Sequence, residues 1–110
     1  MTLAIDESVF ERIADEELQA LDRTLGALDP DEVEVELSAG VLTARLGAGG
    51  ELVVNSHRAA RQIWMAAFRQ AWHFDPVDEG GEWRWRTARD ELHETISRIL
   101  SEKVGRRVEV

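Results

Sequence analysis

The chain has 110 residues, 44% of them hydrophobic, with 22 acidic and 13 basic side chains, a net charge of −9 and no cysteine. That length suits one domain spanning residues 1–110, with enough apolar side chains to bury a core without staples. The missing thiols exclude disulfides, thiolate zinc sites, catalytic cysteines and a conventional cysteine-held iron–sulfur cluster.

The charge is unevenly placed. Residues 1–36 carry 12 acidic and 2 basic side chains, while the remainder is nearly balanced. A concentrated negative field repels nucleic acid and anionic membrane, and attracts cations and basic protein surfaces. The start, Met1 to Phe10, lacks the basic residues and apolar run of a secretory leader. No stretch approaches the roughly 20 apolar residues that cross a bilayer. A cytoplasmic location is expected, and a chain without cysteine fits that compartment.

In chain order, Ser8-Val9-Phe10-Glu11 has the S-x-x-E form of a capping box and predicts a helix start. Phe10, Ala14, Leu18, Leu21, Leu25 and Leu28 recur every three or four residues, the apolar stripe of an amphipathic helix. Pro30 ends it. Glu32 to Leu37 alternates as a strand, with three glutamates on its polar side. Gly40 leads into a strand over Val41–Leu46, and Gly47-Ala48-Gly49-Gly50 predicts a hairpin loop into Glu51–Asn55. Gln62–Ala67 reads as a fourth strand, although the stretch is also compatible with helix. Trp72–Pro76 reads as a short fifth strand and Glu82–Arg86 as a sixth. A last helix begins near Thr87 or Arg89, buries Leu92, Ile96, Ile99 and Leu100, and stops at Gly105. The Val108–Val110 tail is expected to pack back on the domain. Helix, consecutive strands, helix is an α+β pattern. Its economical form is a two-layer sandwich, with two terminal helices on one face of an antiparallel sheet of five to six strands.

These blocks resemble the bacterial, CyaY-type branch of the frataxin family. The resemblance runs from about Ser8 to Leu100. It is carried by Gly40-Val41-Leu42-Thr43, Val53-Val54-Asn55, Gln62-Ile63-Trp64-Met65-Ala66, Trp72-His73-Phe74-Asp75 and Trp83, in order and at matching intervals. It implies a frataxin-like fold and iron (Fe2+/Fe3+) bound through carboxylates of the first helix and first strand. It also implies association with the cysteine desulfurase and scaffold protein of iron–sulfur assembly, as a regulator and not an enzyme.

Glu11, Asp15 and Asp22 fall within about 40° of one another on a helical wheel. Asp29, Asp31 and Glu32 follow in the turn, and Glu34 and Glu36 share the outward side of the first strand with Glu32. Glu11, Asp15, Asp22, Asp29, Asp31, Glu32 and Glu34 are therefore the candidate metal ligands, because clustered carboxylates suit hard cations. An open ridge predicts weak, multi-ion binding. Arg23, Gly26 and Ala27 stand where the family is often more acidic, so the ridge is thinner than the resemblance alone implies. A solvated helix face, with Glu11 engaged in capping, is the plainer alternative.

Strand alternation sends Trp64 outward if Ile63 and Met65 point inward. Tryptophan is a common interface hot spot, so Trp64, Asn55, Gln62 and Arg61 form the candidate partner surface, with Arg58 and Arg69 expected nearby. The alternative is a Trp64 lying flat on neighbouring strands. Trp72, Trp83 and Trp85 are expected in the core. His57, His73 and His93 show no metal-ligand spacing, and no nucleophile triad or phosphate loop is present. Two further readings stay open: a ferroxidase, and an acidic interaction module without physiological iron binding. Nothing in the sequence requires more than a monomer.

Overall fold

A computed structural model describes residues 5–110; the first four residues of the stretch read for a leader lie outside the described residues. The elements follow as α1 (Glu7–Gly26), β1 (Val33–Ser38), β2 (Val41–Leu46), β3 (Glu51–His57), β4 (Gln62–Ala67), β5 (Gln70–Glu79), β6 (Glu82–Arg86) and α2 (Leu92–Val104). The strands form one antiparallel meander in the order β1-β2-β3-β4-β5-β6. Both helices cover the same face, giving the expected α+β two-layer sandwich with six strands.

Local chemistry explains where the elements begin and end. Helix α1 is capped by Asp6, whose side chain accepts from the Ser8 backbone N–H at 2.7 Å. The cap therefore lies two residues before the one read from the sequence. Ser8 is inside the first turn, and its hydroxyl also donates to Asp6. These bonds hold the Asp6 carboxyl below its usual pKa. Gln62–Ala67, ambiguous by periodicity, is strand, because Ile63, Met65 and Ala67 alternate into the core. Strand β5 runs ten residues, well past Pro76, and is closed by the Gly80-Gly81 turn where both glycines have positive φ. Helix α2 starts later than Thr87 or Arg89, because Thr87 Oγ1 accepts from the Arg89 and Asp90 amides and forms a turn first. Glu91 then caps the helix, accepting from the His93 and Glu94 amides. Gly105, at φ 84°, ends it in the left-handed conformation.

The core lies between the layers. The α1 stripe Phe10, Ile13, Ala14, Leu18, Leu21 and Leu25 is buried against inward strand residues including Leu42, Val54, Ile63, Met65 and Phe74. Trp85 is fully buried, with its ring edge-on to Phe10 at 6.0 Å and 78°, a favourable aromatic geometry. Trp72 is buried and Trp83 half-buried, so the three tryptophans expected in the core pack in or against it. The tail packs on α2: Val108 is buried, its N–H donates to Ser101 Oγ, and the Val110 N–H donates to Ser97 Oγ.

Candidate functional site

Helix α1 packs chiefly over the edge strand β1, so the two acidic elements lie side by side. Their carboxylates are not equivalent. Glu11 is paired with Arg58 at 3.1 Å, and Arg58 also reaches Glu7 at 3.5 Å. Glu32 is held by both forks of Arg106, at 2.6 and 3.2 Å. Asp15 accepts from Gln19 at 2.8 Å, and Asp29 from the Asp31 backbone N–H at 2.9 Å. Glu34 lies opposite Arg45 in the β1–β2 register, but that guanidinium leans to Glu36 and Glu51. Among the described residues, Asp15, Asp22, Asp29, Asp31 and Glu34 have no cation within salt-bridge distance, and no three His, Asp or Glu side chains converge into a metal cage. A cation would therefore meet separate open carboxylates, those of α1 and the following turn interrupted at Glu11 and Glu32 by the chain's own arginines, and Glu34 on the sheet face that alternation turns away from α1. Glu11 does not cap α1.

The outer face of the sheet is built by register. Asn55 of β3 lies opposite Trp64 of β4, and Trp64 opposite His73 of β5, so the three share the side away from the helices. Val41 (39% exposed), Val53, Ala66 and Ala71 continue that face by the same pairing. Trp64 is half-buried. Its indole is sandwiched between His57, at 3.7 Å and 15°, and His73, at 4.2 Å and 12°. The indole N–H donates to Gln62 Oε1 at 2.8 Å, and Gln62 in turn donates to Asp75 at 3.0 Å. Alternation placed Trp64 on the outer face, but the residue lies within a slab of three stacked rings and does not stand free.

The remaining partner candidate, Arg61, has moved toward α1. Its backbone is left-handed at φ 54°, its guanidinium donates to the Arg58 carbonyl and lies 3.6 Å from Glu7, and its Nε is buried without a partner. Arg69 sits in the β4–β5 turn, at the other end of β4 from Arg58 and Arg61.

A third cluster escaped the sequence reading. His93 of α2 binds Glu17 of α1 through Nε2 and the Val110 carbonyl through Nδ1 at 3.2 Å. The bond to Glu17 outweighs partial burial and raises the His93 pKa above its usual value. His93, Ser97 and Ser101, spaced four residues apart on α2, together grip the backbone of the tail. Spacing on a helix could have shown the row, but nothing in the sequence says what lies against it.

Comparison with known proteins agrees with the fold over nearly the whole chain. Residues 3–106 match the family model described as a frataxin-like domain. An iron–sulfur cluster assembly protein CyaY from Azotobacter vinelandii is 32% identical over 107 residues, covering 97% of this chain and 96% of the relative. A frataxin from Psychromonas ingrahamii superposes with a TM-score of 0.77 at 21% identity, covering 96% of this chain and 97% of its own. A trimeric frataxin from the yeast Saccharomyces cerevisiae, in its ferrous complex, gives a TM-score of 0.63 at 27% identity and covers 96% and 92%.

Proposed function

The chain belongs to the frataxin-like family, and from that premise we propose that it serves iron–sulfur cluster assembly as an iron-handling regulator. The observation that carries this reading is the end-to-end likeness to relatives named as iron–sulfur cluster assembly proteins. Two surfaces divide the work. The α1–β1 row, through Asp15, Asp22, Asp29, Asp31 and Glu34 with Glu11 and Glu32 beside them, takes Fe2+ or Fe3+ as cargo. The outer sheet face, through Trp64, Asn55 and Gln62, docks on the cysteine desulfurase and its scaffold protein. Hard carboxylate oxygens suit iron. An open row without a cage favours exchange over tight retention, which suits handing the metal on.

The protein's role here is positioning and regulation, without turnover of a substrate. A second reading, an acidic docking module that meets a basic partner without iron, is favoured by one observation: Arg58 and Arg106 already neutralise Glu11 and Glu32. Anaerobic Fe2+ titration of isotope-labelled protein separates the two. Line broadening confined to residues 11–22 and 29–36 is expected from the iron-handling reading. An unperturbed spectrum at millimolar Fe2+, with partner binding intact, would give the ground to the docking module.

A further inference from the structure

Most basic side chains of this acidic protein are paired with carboxylates of the fold. Arg69, Arg98 and Lys103 are not: among the described residues, none of them has a carboxylate within salt-bridge distance. They gather around one cavity of about 210 Å³, between the β4–β5 turn and the C-terminal half of α2. Arg98 and Lys103 line it from the helix, and Arg69 stands between Phe68 and Gln70, which line it from the turn. Trp72 and Ile99 give it an apolar wall, and Glu102 is the one carboxylate of its lining.

Two further observations set this cavity apart from a chance cluster of surface charge. The first is strain. Ala67 pairs with Gln70, so Phe68 and Arg69 alone close the hairpin, at φ 48° and 68°. Two-residue turns of this kind favour asparagine and glycine, because a Cβ is strained at positive φ. Here those positions hold a ring and a guanidinium, and the ring is fixed from both sides. A Cβ on Gly50 would lie 2.5 Å from Phe68 Cε1, and Lys103 Nζ lies 4.2 Å from the ring centroid, within cation–π range. Strain that the surroundings hold in place is a reason to look for function. The second is an unused donor. Trp72 is only 9% exposed, and its indole N–H has no acceptor among the described residues, yet it is not sealed away as the Arg61 Nε is. An acceptor entering the cavity that Trp72 lines finds that N–H unpaired.

We propose that this cavity docks a short acidic segment of a protein partner, seating one apolar side chain against Trp72 and Phe68 and its flanking carboxylates on Arg98, Lys103 and Arg69. Size and charge layout favour a peptide. A small-molecule site usually encloses about 300–1,000 Å³, whereas this one holds a single side chain. Its cations are spread over two elements, which matches carboxylates spaced along a chain better than one compact anion. Nucleic acid and anionic membrane would also meet the field of the remaining −9 molecule, while a short segment meets the local patch alone. Lys103 also suits the last turn of α2, but that role leaves Arg69 and Arg98 unaccounted for. The site uses neither the α1–β1 carboxylates nor Trp64, so it stands or falls apart from the iron-handling reading.

The test titrates the isotope-labelled protein, at low salt, with a synthetic peptide in which one phenylalanine is flanked on each side by two aspartates. The Trp72 indole N–H resonance, assigned through Trp72→Phe, is expected to shift with this peptide and not with a lysine-flanked counterpart. Arg98→Ala and Lys103→Ala, both at exposed positions, should each weaken the peptide about two- to fivefold, the range open to exposed ion pairs. Glu102→Gln should tighten it by a similar factor. Arg89→Ala removes an equal, exposed charge ahead of α2 and should leave the affinity unchanged. A Trp72 resonance unmoved at millimolar peptide overturns the proposal. So does an equal weakening by Arg89→Ala, which would reduce the effect to overall charge. If acetate or inorganic phosphate moves Trp72 as strongly at the same concentration, the site takes a free anion. If dilution of the wild type alone moves it, the occupant is a second copy of the chain. Either result also overturns the acidic-segment assignment.

Discussion

Trp64 carries the sharpest expectation at the level of single residues. It lies on the outer face, clear of the buried core, so its removal opens no core cavity. Trp64→Ala should keep the folded spectrum while weakening binding to the cysteine desulfurase at least about tenfold, as interface tryptophans do. Isothermal titration of the variant measures this, and an unchanged Kd would move docking off the sheet face. The outward placement of Trp64 was legible from alternation alone. Its two imidazole neighbours were not: His57 and His73 lie 7 and 9 positions away in sequence, and only the strand register brings them to its faces. Arg61 shows the converse. It stands beside Gln62 and Trp64 in sequence, but its left-handed backbone and its bond to Arg58 turn it toward α1.

Among the elements, the strands were readable because one face is buried and the pleat has period two; Glu82–Arg86 and Gln62–Ala67 match the structure residue for residue. Helix starts were harder, because caps compete. Asp6 and Ser8 are both good caps, and which one acts depends on an amide two residues on. At the second helix, Thr87 closes its own turn before Glu91 caps α2. The α2 row that grips the tail yields a pH prediction. Folding raises the His93 pKa, because charged His93 is favoured by Glu17. Its contribution is therefore complete below the unfolded value of about 6.5 and is lost as pH rises through the folded value. His93→Gln should lower unfolding stability by about 0.5–1.5 kcal/mol, the net worth of a hydrogen bond, near pH 5.5 and by less at pH 8.5. Urea melts of both proteins across that range test it, and a gap that widens with pH would contradict the assignment.

For the molecule as a whole, the net charge of −9, all of it acquired before residue 37, is a store of self-repulsion. The row keeps five carboxylates free of cations among the described residues, so screening should stabilise the fold. Raising sodium chloride from 10 to 150 mM, which shortens the Debye length from about 30 to 8 Å, is expected to raise Tm by about 2–5 °C. Asp22→Asn with Glu34→Gln should flatten that rise, and a Tm indifferent to salt would mean the row is already neutralised within the fold. The same acidity has a use during synthesis. The sheet is a meander, so each strand finds its partner as it leaves the ribosome. Helix α1 emerges ahead of the sheet, however, and its Phe10 waits for Trp85, the last large ring of the core. At about 5–20 residues per second, an amphipathic helix spends seconds with its apolar stripe uncovered. The carboxylates beside that stripe are expected to keep nascent chains apart until β1 to β3 cover most of it and β6 brings Trp85 to Phe10.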